Sequence, residues 1–314
     1  MDLLEQVRAT GTLAPGGPVA VLLSGGRDSV CLLGVALELG GRVAAVHVNY
    51  GLRDAAGEDE DHCRALCERL GVELEVEHAA RPAGAPGNLQ AWARDVRYAA
   101  GTRVVAARGG VLAAGHTATD QVETVLYRLA ASPGRRALLG MPARSGRLVR
   151  PLLGVTRAQT AAWCADRGLP WREDASNATD AFARGRVRHG LVPALRAVDG
   201  RAEANVLRTA ELLRDEAEVL DVVVDAALAG HEEIPVAHLA ALPRALARLV
   251  VRRLAEAATG GLCARAPGRL DDLLALGDGA LDVGDGARAV VAAGVLRFEP
   301  TPPLPDRVAA GRAG

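Results

Sequence analysis

VAVLLSGGRDSVCLLGVAL, running from Val19 to Leu37, divides into an apolar run, a polar turn and a second apolar run of different period. Val19, Ala20, Val21, Leu22 and Leu23 form an unbroken apolar stretch with the length of a parallel strand buried on both faces. Val30, Leu33 and Leu37 recur at three- and four-residue intervals, the spacing of one helical face. The turn between them, Ser24-Gly25-Gly26-Arg27-Asp28-Ser29, therefore joins the carboxyl end of a strand to the amino end of a helix. Two adjacent glycines let the backbone turn sharply and gather successive N–H groups, and the helix directs the positive end of its dipole at the same point. This predicts a phosphate site. The competing reading is an ordinary βα turn capped by Asp28 or Ser29, which explains the glycines better than it explains the Asp28-Ser29 pair beside them.

The lysine-bearing phosphate loop, with longer glycine spacing and a Gly-Lys-Ser/Thr ending, is not what stands here. The chain contains no lysine: all 37 of its Lys+Arg residues are arginine. Charge on a bound phosphate must then be met by backbone amides, by arginine, or by a metal held by Asp28.

At 314 residues the chain has room for one large or two modest domains. Aromatic residues make up only 3% of it, so leucine, valine and alanine must build the core. The net charge of −1 conceals an uneven distribution. Asp54 to Glu77 carries nine acidic residues against two arginines, whereas Arg135 to Asp199 has a net of +7. No stretch reaches the roughly 18 apolar residues of a membrane span, and a soluble cytoplasmic protein is expected. The five cysteines are scattered and contain no Cys-x-x-Cys pair, which supports neither a disulfide framework nor a zinc or cluster site. Cys31 and Cys164 read as isolated thiols.

Along the chain the strand–helix punctuation repeats. Arg42–Val48 reads as a second strand running into Asn49-Tyr50-Gly51-Leu52-Arg53, Gly57–Leu70 as a helix and Val72–Val76 as a third strand. His47 and Asn49 are, with equal weight, satisfied polar groups or ligands at a strand end. Asn88 is a plausible N-cap for a helix in which Arg94, Arg97 and Tyr98 share a face. Val111–Gly115 is a further strand, and its end leads into His116-Thr117-Ala118-Thr119-Asp120-Gln121-Val122-Glu123-Thr124. With a helix beginning near Thr119, an imidazole and two carboxylates converge at a strand end, as a magnesium- and amine-handling site needs. A capping box made by Thr119 or Asp120 is the competing explanation.

Residues 130 to 147 read as a Gly-, Pro- and Arg-rich loop, and Thr156–Gly168 as a helix with Trp163 turned inward. Arg184, Arg186 and Arg188 form either a solvated face or a phosphate-contacting surface. Near Asp199-Gly200 the composition turns to continuous helix, so domains are expected at 1–199 and 200–314. In the second, a long helix reaches about Ala229, shorter ones cover Leu242–Ala258 and Pro267–Leu276, a small hairpin spans Leu281–Phe298, and the tail past Pro300 is expected to lack order. The predicted fold is α/β, with a doubly wound, mainly parallel sheet followed by a smaller, mostly helical domain.

Six motifs in order carry a family resemblance: SGGRDS, HVNYGLR, ARDVRY, GHTATDQVET, EDASN and RGRVRHGLVPAL. Over about residues 15–197 the chain resembles the tRNA(Ile)-lysidine synthetase family of the ATP-pyrophosphatase superfamily, whose catalytic domain is adenine nucleotide alpha-hydrolase-like. The LPRALARLVVRRL segment resembles that family's carboxyl-terminal tRNA-handling domain. The resemblance implies an ATP-dependent ligase. ATP adenylates the C2 oxygen of the wobble cytidine of an isoleucine tRNA with a CAU anticodon, and free lysine then displaces AMP. It assigns Ser24, Gly25, Gly26, Arg27, Asp28 and Ser29 to ATP, Asp28 and Asp120 to Mg2+, and Arg94, Arg97, His116, Asp120 and Glu123 to the reacting centre. Tyr50 stands where the family commonly has histidine, Thr119 where many members have a second acidic residue, and Ala131–Arg136 lacks the usual Arg-Gly-Ser/Thr-Gly form. The alternatives are a tRNA sulfurtransferase of the same superfamily, which calls for paired cysteines, and a non-catalytic tRNA- or nucleotide-binding protein, which has no need of Asp28, Asp120 and Glu123 together.

Overall fold

A short helix, α1 (Leu3–Ala9), precedes the phosphate turn, which is held as expected between β1 (Pro18–Leu22) and α2 (Arg27–Glu38). The computed structural model describes residues 2–52, 56–82, 84–85, 87–132, 134–173 and 183–302. Arg53 of the second motif, most of EDASN and the tail past position 302 lie outside the described residues. The repeat continues with β2 (Arg42–Asn49), α3 (Ala56–Leu70), β3 (Glu73–His78), α4 (Leu89–Arg108), β4 (Val111–Ala113) and α5 (Ala118–Ala131).

The segment expected to be a loop after position 130 is more structured than that. It carries a one-turn helix, α6 (Arg135–Leu138), and two short strands, β5 (Arg144–Ser145) and β6 (Leu148–Val149). The strands extend the sheet, because Leu148 and Val149 pair in parallel with Leu112 and Ala113. A two-residue strand has no period to read, which is why composition alone points to a loop. Then come α7 (Arg157–Asp166), α8 (Ala183–Arg186), a π turn over Val187–Leu191, and α9 (Val192–Val198).

The sheet has six strands in the order β3-β2-β1-β4-β6-β5, parallel throughout except for β5. From β1 the chain steps outward through β2 and β3, then crosses back to place β4 on the other side of β1. The strand order therefore reverses between β1 and β4, and the crevice at their carboxyl ends is where such sheets bind ligands. Alternation along the first apolar run fills both faces. Val19, Val21 and Leu23 pack with Val30, Leu32 and Leu33 of α2 and with Trp163 of α7, while Ala20 and Leu22 meet Ala100 and Val104 of α4. Each large aliphatic side chain so buried contributes about 1.5–3 kcal/mol. Two glycines let the helices close in: a Cβ at Gly34 would lie 2.7 Å from the Trp163 ring, and one at Gly101 would lie 2.4 Å from Leu112.

The contact pattern divides the chain into Met1–Leu213 and Arg214–Gly314, a boundary inside the helix α10 (Ala202–Leu228). The second unit adds β7 (Glu233–Pro235), α11 (Val236–Ala241), α12 (Arg244–Thr259), a 3₁₀ turn over Ala266–Arg269, α13 (Leu270–Ala275), β8 (Gly279–Gly284), β9 (Ala287–Ala292) and β10 (Val295–Pro300). The small hairpin expected here is part of a larger antiparallel sheet of order β7-β10-β9-β8. Asp285-Gly286 and Ala293-Gly294, each pair at positive φ, make its two tight turns, and Val250, Leu254, Leu270 and Leu273 share a core with its Leu296.

With no lysine in the chain, every side-chain cation is a guanidinium or an imidazole. Arg108 holds Glu73 and Glu75, Arg103 holds Glu77, and Arg253 holds Asp221 and Asp225. No helix among the described residues is long and apolar enough to cross a membrane.

Candidate functional site

Ser29 closes the phosphate turn on itself. Its hydroxyl accepts from the Ser24 amide at 3.1 Å and donates to the Gly26 carbonyl at 2.8 Å. Gly25 sits at φ +79°, and a Cβ there would press on Cys63 and His62 at 3.3 Å. Gly26 is the N-cap of α2, and no side chain caps that helix. The Ser29 amide turns back to the Gly26 carbonyl at 3.1 Å, and the amides of Arg27 and Asp28 are those the helix leaves without a partner, as an anion site requires. The turn is pinned from outside by Arg172, whose amide donates to the Gly25 carbonyl at 3.0 Å while its side chain reaches Asp59 and Glu58 at 2.8 and 2.7 Å.

His47 and Asn49 both have hydrogen-bond partners within the protein, as the reading of satisfied polar groups expects. Nδ1 of buried His47 lies 2.9 Å from the Leu23 carbonyl. Asn49 donates to Glu60 at 2.9 Å and accepts from the Gly51 amide at 3.0 Å. Bonds from Asn49, Arg64 and His78 bring the Glu60 carboxyl down to about 2.

On the other side of the switch point, Gly115 passes so close to the turn that a Cβ would lie 2.9 Å from the Asp28 carbonyl. Helix α5 then starts one residue earlier than expected, with Thr117 as N-cap. The capping box is real but is built differently: Asp120 accepts through Oδ2 from both the Thr117 amide and the Thr117 hydroxyl, each at 2.9 Å. Its other oxygen, Oδ1, faces Arg157 Nη2 at 3.7 Å and Arg188 Nη2 at 3.8 Å. Asp120 is thus both the cap and a member of the site. Burial raises its pKa, but the Thr117 amide, Arg157 and His116 outweigh that and hold it below the ordinary aspartate value.

Glu123 is only 1% exposed, and both its oxygens are taken by the Arg188 fork, Nε at 2.6 Å and Nη2 at 3.0 Å. Arg184 donates to Thr124 at 2.8 Å. Two of the three alternating arginines therefore face α5. Arg94 and Arg97 both lie against the Tyr98 ring, 4.8 and 6.0 Å from its centre.

Three residues that the sequence did not single out join them. Arg150, 4% exposed, follows β6 directly, while Arg157 and Thr160 form the first turn of α7. Thr160 donates to Asp28 Oδ1 at 2.6 Å, and Arg157 Nε lies 3.4 Å from Asp28 Oδ2. Reading β6 as a strand parallel to β4 would have placed Arg150 and the start of α7 at the same sheet edge.

His116 is pushed down to about 3 by burial, with Arg150, Arg97 and Arg184 acting in the same direction against Asp120. Its Nδ1 is buried without a hydrogen-bond partner among the described residues. Unfolded, an imidazole titrates near ~6.5, so between that value and the folded one the unfolded chain binds the extra proton. This group's contribution to stability therefore declines as the pH falls through that window. His116→Asn is expected to flatten the acid limb of the melting temperature plotted against pH, and superimposable curves for the two proteins would contradict a neutral buried imidazole.

Among the described residues no three His, Cys, Asp or Glu side chains form a metal cage. Asp28 Oδ2 and Asp120 Oδ1 nevertheless converge on one guanidinium. Two hard carboxylate oxygens completed by phosphate and water form the usual coordination of magnesium at nucleotide sites, so the donor set fits that ion. Cys31 and Cys164, expected as isolated thiols, are both fully buried; each acts on the other's titration, raising Cys31 and lowering Cys164, and the Cys164 thiol donates to the Arg27 carbonyl at 3.8 Å.

A family model described as a PP-loop domain matches residues 4–195. A tRNA(Ile)-lysidine synthase of Thermobifida fusca is 39% identical over 85% of this chain and 86% of that protein. Those of Streptomyces coelicolor and Leifsonia xyli are 38% and 36% identical, over 88% and 92% of this chain and 85% and 91% of theirs. Among solved structures, the U34-tRNA thiolase NcsA from Methanococcus maripaludis superposes with a TM-score of 0.58 at 20% identity, over 68% of this chain and 78% of that one, a likeness of fold.

Proposed function

This chain belongs to the tRNA(Ile)-lysidine synthase family of PP-loop proteins, and from that premise we propose that it joins free lysine to the wobble cytidine of an isoleucine tRNA with a CAU anticodon, driven by cleavage of ATP. The observation that carries the reading is the meeting of an anion turn, an imidazole, three carboxylates and six arginines at one switch point of the sheet. In the first step the cytidine C2 oxygen attacks the α-phosphate and pyrophosphate leaves. In the second the lysine amine displaces AMP.

Ser24 to Ser29 receive the pyrophosphate portion on the open amides of α2. Asp28 and Asp120 are the residues that would hold Mg2+, which when bound supplies positive charge to the leaving group. Arg97, Arg150 and Arg184 act on His116, with Arg94 beside Arg150, and these arginines meet the charge that develops on the α-phosphate. Lysine arrives as a cation and must lose a proton before it attacks. Glu123 is occupied by Arg188 and acts by fixing that arginine. His116 Nδ1 is the acceptor in reach of the site. Three arginines suppress its basicity in the free protein, and a phosphate bound to them relieves that suppression. The arginine-rich stretch 135–199, together with residues 200–314, is assigned to holding the tRNA, whose phosphates reward such a charge surplus.

The test is direct. With ATP, radiolabelled lysine and the isoleucine transcript, label should enter the RNA together with one AMP and one pyrophosphate per lysine. AMP release that depends on a sulfur donor instead of lysine would favour the sulfurtransferase, and binding without AMP would leave a non-catalytic protein.

A further inference from the structure

Arg157 stands between the two carboxylates assigned to the metal, yet it is poorly bonded to both. Its Nε is 3.4 Å from Asp28 Oδ2 and its Nη2 is 3.7 Å from Asp120 Oδ1. Nε is buried and has no hydrogen-bond partner among the described residues. Both distances exceed the roughly 2.7–2.9 Å of a well-made charge-assisted bond. Arg188 is held quite differently, gripping Glu123 at 2.6 and 3.0 Å. One guanidinium of the site is locked and the other is loose.

The carboxylates divide their oxygens in the same way. Asp28 commits Oδ1 to Thr160 at 2.6 Å and Arg27 at 3.2 Å, and Asp120 commits Oδ2 to the amide and hydroxyl of Thr117. The two remaining oxygens accept no hydrogen bond among the described residues and meet only guanidinium groups at ion-pair distance. Local structure is thus satisfied by one oxygen of each residue, and the other is left for a cation. Arg157 fills the place that a hard divalent ion with phosphate ligands would take.

We propose that Arg157 is an exchangeable counter-ion: it holds Asp28 and Asp120 together before ligands bind, and it moves onto the triphosphate when a divalent cation replaces it on the carboxylates. The backbone need not move. Arg157 opens α7, whose first turn is fixed by the capping box of Thr156 and Gln159, and its side chain is 29% exposed, so side-chain torsions suffice. Charge stays matched throughout, since the carboxylates give up a monovalent partner for a divalent one and the freed guanidinium joins the phosphates. In a lysine-free chain Arg157 does what the lysine of a Gly-Lys-Ser/Thr loop does for its phosphates.

The proposal rests on reading this as an ATP site, so its test measures metal and nucleotide binding apart from lysine transfer, and either can fail without the other. Wild-type protein, Arg157→Gln and Arg157→Lys are titrated with Mn2+ in the absence of nucleotide, following free Mn2+ by electron paramagnetic resonance. They are then titrated with ATP in the presence of Mg2+ by calorimetry, with melting temperatures recorded for all three. Removing a competing unit charge at this range is expected to tighten Mn2+ binding by Arg157→Gln about tenfold and to weaken ATP binding by a similar factor. Arg157→Lys keeps the charge but cannot span both carboxylates, so it should tighten Mn2+ binding while ATP affinity holds. Unchanged or weaker Mn2+ binding in both variants overturns the proposal and makes Arg157 a fixed part of the wall. Tighter Mn2+ binding with undiminished ATP binding in Arg157→Gln overturns the transfer to phosphate.

Discussion

Asp28→Asn should slow pyrophosphate release in the adenylation step on the order of 10²–10³-fold while leaving the protein folded, the loss seen when one preorganised charge-stabilising group is removed from an active site. Asparagine fills the same volume and can still accept the Thr160 hydroxyl, which donates to Asp28 Oδ1 at 2.6 Å, so the packing of α7 on α2 is kept. What disappears is the negative charge at Oδ2, the oxygen left to a cation. An amide turned that way sets its N–H groups against the Arg157 guanidinium. Rapid-quench measurement of pyrophosphate with ATP and tRNA but without lysine, with a melting curve as control, gives the answer: wild-type pyrophosphate release would remove Asp28 from the chemistry.

Glu123→Gln is expected to lower both half-reactions together and to destabilise the protein by about 3–5 kcal/mol, because it strips the bidentate partner from a buried ion pair. A free Glu123 holding the incoming amine would predict a selective loss of lysine transfer. The fork of Arg188 on both its oxygens predicts the common loss. The double variant Glu123→Gln, Arg188→Met separates fold from function. It should recover most of the melting temperature, since neither charge is then buried alone, and still release AMP slowly. Loss confined to lysine transfer in the single variant would return Glu123 to the amine.

The phosphate turn was legible because it is local: strand, turn and helix are contiguous from Val19 to Leu37, and their periods differ. The order of His116, Asp120 and Glu123 was legible for the same reason. Less visible was what each carboxylate does, because that depends on partners far away in the chain. Glu123 meets Arg188 through a π turn, one residue wider than an α turn and without a sequence signature. Asp28 meets Thr160, 132 positions on, and Cys164 acts on Cys31 from about as far along the chain. In the second unit, Glu233–Pro235 pairs with Val295–Arg297, a three-residue strand whose partner lies some sixty residues away and so cannot be read from its own composition. Sequence points to a capping box on the right segment but with Thr119 or Asp120 as cap. Thr117 has that place, with Asp120 at the third helical position.

The all-guanidinium ion pairing has a consequence for the intermediate. An adenylated cytidine is an electrophile, and the nucleophile it awaits is a primary amine. Guanidinium groups stay protonated at any working pH and do not attack such centres, whereas a lysine ε-amine does when its pKa is lowered by burial or neighbouring cations. The arginines of the site, Arg27, Arg94, Arg97, Arg150, Arg157, Arg184 and Arg188, are all of the unreactive kind. The protein surrounds its reactive species with charge but offers it no side-chain amine of its own, and self-labelling through that route is closed. Water and the free amino acid are left as the competitors for the activated base, and label found with the protein after a reaction reports RNA still bound to it.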